Sequence, residues 1–164
     1  MIGKKMEEAI NKQINAELYS AFIYLAMSAD FESKTLKGFA HWMKVQYGEE
    51  VSHAMKFYHH LIERGGIVKL EKIDAPQQSY NNALDAFKTA YAHEQKVTAM
   101  INNLLEIARA EKDYPAESML KWFIDEQVEE EANTSEIVEL LKMAGDSKGS
   151  LLAIDHRLAK RKED

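Results

Sequence analysis

The chain contains no cysteine, which removes disulfides, thiolate metal sites, iron–sulfur clusters and cysteine nucleophiles from consideration. Nothing argues for an oxidising compartment, so a reducing cytoplasm is the expected location. No window approaches ~20 uninterrupted apolar residues, the length a membrane helix needs, and the first stretch, MIGKKMEEAINKQINAE, turns charged and polar at once. A soluble chain with no signal peptide and no membrane contact is therefore expected. A basic balance is also lacking: 27 Asp and Glu oppose 21 Lys and Arg, for a net charge of −6. That balance gives no general attraction to nucleic acid or acidic lipid and favours cations. Prolines number two and glycines seven, and most of them fall near breaks in the apolar periodicity, which makes the chain easy to divide.

At 164 residues a single domain with one core is expected. Helical patterns run over about 4–33, from Thr35 to Arg64, from about Asn82 to Lys112, and from Pro115 to Met143. Thr35 reads as the N-cap of the second helix, Gly65-Gly66 as its stop, and Pro115 as the first position of the fourth. A short amphipathic segment over about 148–160 follows. Helices of this length span roughly 42–45 Å. The first and third connections are short and force antiparallel neighbours. The stretch from Gly66 to Tyr80, extended, covers about 50 Å, so the second and third helices can run parallel. The expected fold is all-α: a four-helix bundle over about 4–143, up-down-down-up with one long crossover, plus a short C-terminal fifth helix.

Apolar residues recur on each long helix at alternating steps of three and four, the spacing of a bundle core. Each of these seams is interrupted near its midpoint by a glutamate: Glu17, Glu50, Glu94 and Glu130. In the expected bundle all four converge at one depth. Ionised carboxylates crowded there would each cost several kcal/mol unpaired, and no Lys or Arg lies on the seams near that level. A metal cation is the economical neutraliser. Glu50 and His53 stand one turn apart on the same face, an i, i+3 pair that can share an ion. On a wheel at about 100° per residue, Glu126 and Glu130 fall among Met119, Phe123, Ile137 and Leu141, with Glu129 at one edge and Gln127 at the other. Asp125 and Glu131 lie off this face and read as surface or interface charges; His41, His59, His60, His93 and His156 follow no ligand spacing.

Oxygen-rich ligation with one nitrogen and no sulfur suits Mg, Ca, Mn or iron. Ligand type alone does not select iron over manganese. Two cations about 3.5–4 Å apart, bridged by a central carboxylate, match such a donor set, and the few ligands per ion leave open positions. Two other readings compete. In a purely structural bundle the acids would be solvated stripes and no metal would bind, whereas an oxygenase acting on an organic substrate would want a second histidine and a substrate pocket.

Glu17 with Tyr24, YGEEVSHA with Glu49, Glu50 and His53, HEQ with Glu94, and DEQVEEEAN with Glu126, Gln127, Glu129 and Glu130 form a specific combination. With it, the whole chain, 1–164, resembles the ferritins of the bacterial and archaeal non-haem type, as a single ferritin-like di-iron domain. The resemblance implies one iron held by Glu17, Glu50 and His53 and a second by Glu94 and Glu130, with Glu50 bridging. It implies that Gln127 and Tyr24 line this ferroxidase centre, and that Glu49, Glu126, Glu129 and Glu130 form a third iron site. It further implies twenty-four copies in a hollow shell that oxidises Fe(II) with O₂ and stores the ferric mineral, with the fifth helix at the four-fold channels. Asn133 stands where bacterioferritins and symmetric di-iron enzymes carry a second Glu-x-x-His histidine. Ser52 stands where bacterioferritins place a haem-ligating methionine, so no haem is expected. The absence of cysteine departs from rubrerythrins, and the fifth helix departs from the mini-ferritins.

Overall fold

The computed structural model describes residues 1–162. Among them run five helices: α1 (Lys4–Ser33), α2 (Lys37–Glu63), α3 (Ala83–Glu111), α4 (Tyr114–Ala144) and α5 (Lys148–Leu158). The termini are set by local chemistry. Asn82 accepts from the Asp85 amide, Asp113 from Ala116 and Ser147 from Ser150, so three helices open on a side-chain cap. Pro115 occupies the second position of α4 rather than the first, because Tyr114 already follows the Asp113 cap.

Thr35 does not cap α2. Its backbone is left-handed, with φ 62°, and it closes α1: the Thr35 amide donates to Glu32 O and the Leu36 amide to Phe31 O. This is the paired hydrogen bonding that ends many helices, with a threonine in the position glycine usually takes. Leu36 becomes the residue before α2 and offers no side-chain cap. The cap comes from elsewhere. Asp155, on α5, accepts from the Gly38 and Phe39 amides at 2.8 and 3.0 Å, satisfying orphan donors at the start of α2 with a carboxylate that also suits the positive end of its dipole. The approach requires glycine, since a Cβ on Gly38 would lie 1.7 Å from the Asp155 backbone oxygen.

Chain direction follows from two apolar clusters. One gathers Phe31 from the end of α1, Phe39 and Phe87 from the starts of α2 and α3, and Leu141 from the end of α4. The other gathers Met6 and Ile10, Phe57 and Leu61, Leu104 and Leu105, and Leu120 and Phe123, from the opposite ends. The bundle is therefore up-down-down-up. The crossover between α2 and α3 runs along α1. Asn11 holds it at the beginning, donating to Ile67 O at 2.9 Å and accepting from the Lys69 amide at 2.6 Å. Asp30 and Lys34 hold its end at the Tyr80 backbone. Between the two clusters lies a layer of buried polar side chains: Glu17, Gln46, Glu50, His53, Glu94, Gln127, Glu130 and Thr134.

Asp155→Ala is expected to lower stability by about 1 kcal/mol, the ordinary value of a lost cap, and Gly38→Ala by more because it displaces α5. Thermal melting of the two variants measures this; unchanged midpoints in both would remove the α5 contact from the stability of α2.

Candidate metal centre

Each side chain of the polar layer is aimed by its helix and fixed by a neighbour. On α1, Gln13 donates to Glu17 Oε1 at 2.8 Å. On α2, His53 Nδ1 stands 3.5 Å from Glu50 Oε2, and the Gln46 amide nitrogen donates to both Glu130 Oε2, at 2.7 Å, and Glu50 Oε1, at 3.3 Å. On α3, Glu94 accepts a short hydrogen bond from the Tyr24 hydroxyl and another from Gln127 Nε2 at 3.3 Å. Glu17, Glu50, Glu94 and Glu130 are each no more than 2% exposed. Among the described residues no Lys or Arg pairs with any of the four.

Burial without a counter-cation disfavours the charged form. Burial pushes the Glu17 carboxyl up from its ordinary range. Burial, then the charges of Glu94 and Glu17, hold Glu50 well above it; burial, then Glu94 and Glu50, do the same to Glu130. Glu94 is pushed up to about 7, by burial first, against the opposing hydrogen bonds from Tyr24 and Gln127. The Tyr24 phenol is raised well above its ordinary value by burial and by Glu94.

Two groups of side chains bring potential ligand atoms within 4.8 Å of one another: Glu17, Glu50 and His53, and His53, Glu126 and Glu130. Glu17 Oε2 is buried with no hydrogen-bond partner among the described residues, and this orphaned lone pair beside Glu50 and His53 is what a cation would satisfy. The donor set, carboxylates with one imidazole, fits a hard or borderline divalent cation. Glu94 belongs to neither group and is held by Tyr24 and Gln127. Of the acids expected at a third site, Glu126 and Glu130 come together with His53, whose Nε2 stands 3.7 Å from Glu126 Oε1. Glu49 instead pairs with Arg161 at 2.5 Å. Glu129 is exposed and lines a cavity of about 390 Å³ together with Arg161.

Two participants were not visible along the seams. Arg161, beyond α5, reaches Gln46 as well as Glu49. Its signal is the spacing Ile154, Leu158, Arg161, which continues the buried stripe of α5 by steps of four and three. Glu131 accepts from Thr98 Oγ1 at 2.6 Å, and Thr98 contacts Gln127, so this acid supports the layer from outside instead of standing free. His93, by contrast, packs as expected, with Ser20 Oγ 2.7 Å from its Nε2.

An all-α bundle that buries four acids and an imidazole at mid-height, with a long crossover and a short fifth helix, defines a carboxylate-layered four-helix class. Within it, residues 7–144 match the ferritin-like domain of the ferritin family. The chain is 43% identical over 161 residues to the bacterial non-heme ferritin of Bacteroides fragilis (strain 638R), covering 98% of this chain and 100% of the relative. It is 37% identical over 164 residues to that of Staphylococcus aureus (strain MRSA252), covering 100% and 99%. An open pore ferritin from the hyperthermophilic archaeon Archaeoglobus fulgidus superposes with a TM-score of 0.98 at 47% identity, covering 99% of this chain and all of that one. The chain belongs to the ferritin family.

The raised carboxyls give a pH dependence with a definite sign. A folded pKa above the unfolded one contributes stability below about 4.5, the unfolded value, that is lost as pH rises through the folded value, about 7 for Glu94. Glu94→Gln removes this loss, so its melting temperature, relative to the unsubstituted protein without metal, is expected to rise between pH 5 and 8. A difference that stays constant over that range would contradict ionisation of Glu94 as the cause.

Proposed function

We propose that the protein stores iron, oxidising Fe(II) with O₂ at an intrasubunit ferroxidase centre and holding the ferric mineral inside a shell of twenty-four copies in the cytoplasm. The observation that carries this reading is the layer of buried carboxylates with no Lys or Arg partner and an orphaned Glu17 oxygen. Membership of the ferritin family supports it.

In this reading iron is substrate and cargo. Glu17, Glu50 and His53 take one Fe(II), Glu94 and Glu130 a second, and Glu50 bridges them. Binding competes with the protons that burial favours on these carboxyls, and the negative charge of the ionised ligands favours Fe(III) over Fe(II). Tyr24 and Gln127 orient Glu94 through their hydrogen bonds. Glu126 and Glu130, with Glu49 and Glu129, form an outer third iron site. No haem takes part. Self-assembly is supported by exposed apolar side chains, among them Phe22, Leu25, Val128 and Leu152, which a partner subunit would bury. In the shell α5 would stand at the four-fold channels. Among the described residues no helix is long and apolar enough to cross a membrane.

Glu50→Ala and His53→Ala are each expected to abolish rapid Fe(II) oxidation while leaving a folded shell. Stopped-flow absorbance after aerobic Fe(II) addition reads the rate, and unchanged rates in either variant would sink the site assignment. Light scattering before and after the addition tests storage: a particle near the chain mass, or iron precipitating outside it, counts against the shell.

A further inference from the structure

The four long seams carry no cation at the level of the acids, yet one arrives from the chain end. Arg161 sits in the turn after α5, where the Ala159, Lys160 and Arg161 amides donate to Asp155, Arg157 and Leu158. Its guanidinium lies over the Trp42 ring at 4.3 Å, and its carbonyl accepts from His41 Nε2 at 2.8 Å. One nitrogen donates to Gln46 Oε1 at 2.8 Å and another to Glu49 Oε2 at 2.5 Å. Its side chain is 17% exposed, as is that of Glu49.

Two consequences follow. A guanidinium only donates, so it selects the oxygen of the Gln46 amide and leaves the nitrogen to face Glu50 and Glu130. The same guanidinium engages Glu49 in a charge-assisted bond, and the Glu49 charge acts on Glu130, a member of the group formed with His53 and Glu126. An incoming cation and Arg161 therefore want the same carboxylate.

We propose that Arg161 is a positioning residue of the metal centre, one that orients Gln46 and acts as a displaceable counter-cation for Glu49. A divalent ion binding at the outer acid site competes with it and loosens the segment after α5. The inference rests on the outer site proposed above. It sets occupancy of that site against the Arg161–Glu49 pair, so filling the outer site is reported to the turn after α5 and, through Asp155, to the start of α2.

Calorimetric titration of the assembled metal-free protein with Zn(II), which cannot be oxidised, tests this. Arg161→Gln is expected to tighten the weaker, outer site about three- to tenfold, the range of a partly exposed charged pair, with Arg161→Lys falling between. A structural role alone would weaken every site together; that outcome, an unchanged outer site, or an unsubstituted protein with no weaker site overturns the inference. A second measurement needs no variant. Hydrogen exchange of the Ala159, Lys160 and Arg161 amides in the unsubstituted protein should accelerate once Zn(II) fills the weaker site, and unaltered exchange at saturation also overturns the inference. Failure of the ferroxidase reading is seen separately: in that case Glu50→Ala would leave the tight Zn(II) sites intact.

Discussion

Four carboxylates held in the middle of a bundle, out of reach of Lys and Arg, are the constraint on which the rest of this molecule depends. Two charges 4 Å apart repel by about 4 kcal/mol at an effective dielectric of 20, and four glutamates can satisfy neither their hydration nor each other. Side chains at a helix end relieve such stress by reaching for solvent. These cannot, because an apolar cluster closes the layer on each side, with the stacked rings of Phe31 and Phe39 in one and of Phe57 and Phe123 in the other. Neutralisation must come from protons or from cations delivered to the layer, and the raised carboxyls and the orphaned Glu17 oxygen are two expressions of that one fact.

The topology serves the same constraint. Mid-helix positions of four elements coincide in height only if the helices share their ends, which the short α1–α2 and α3–α4 turns achieve for each pair. The two pairs are then brought into register by the crossover, and its anchors on α1 are spaced for that purpose. Asn11 and Asp30 are separated by about 28 Å at 1.5 Å per residue, most of the bundle length. Arg64, at the end of α2, adds a fork to Asp113 at 2.8 and 3.2 Å, tying α2 to the turn between α3 and α4.

Features that repeat along one helix were legible in the sequence; those that join different elements were not. Glu17, Glu50, Glu94 and Glu130 interrupt periodic seams, so their burial could be read from spacing alone, as could the split of DEQVEEEAN into buried Gln127 and Glu130 and outlying Asp125. Glu129 shows the limit of a wheel: an edge position leaves burial undecided, and the side chain is exposed. Thr35 misled because a threonine between helices usually caps the second, whereas here the tight reversal demands a left-handed residue after α1. Nothing local marks that demand. The cap of α2 by Asp155 and the reach of Arg161 into the layer join residues more than a hundred positions apart, and no periodicity links them.

The choice of amides around the acids follows from electrostatics. Gln13, Gln46 and Gln127 donate to Glu17, to Glu50 and Glu130, and to Glu94 respectively. A lysine or arginine in any of these places would orient a carboxylate equally well but would offset its charge, and each such pairing would weaken the attraction of the layer for a divalent ion. An amide donates without a formal charge, holding direction while leaving the negative charge available. The guanidinium of Arg161 respects the same division: it touches the oxygen of Gln46 and the outer Glu49, one amide removed from Glu50 and Glu130. The Arg161 charge is thus kept at the rim, where a cation can compete with it, and beside the carboxylates the centre holds amides, hydroxyls and the His53 imidazole.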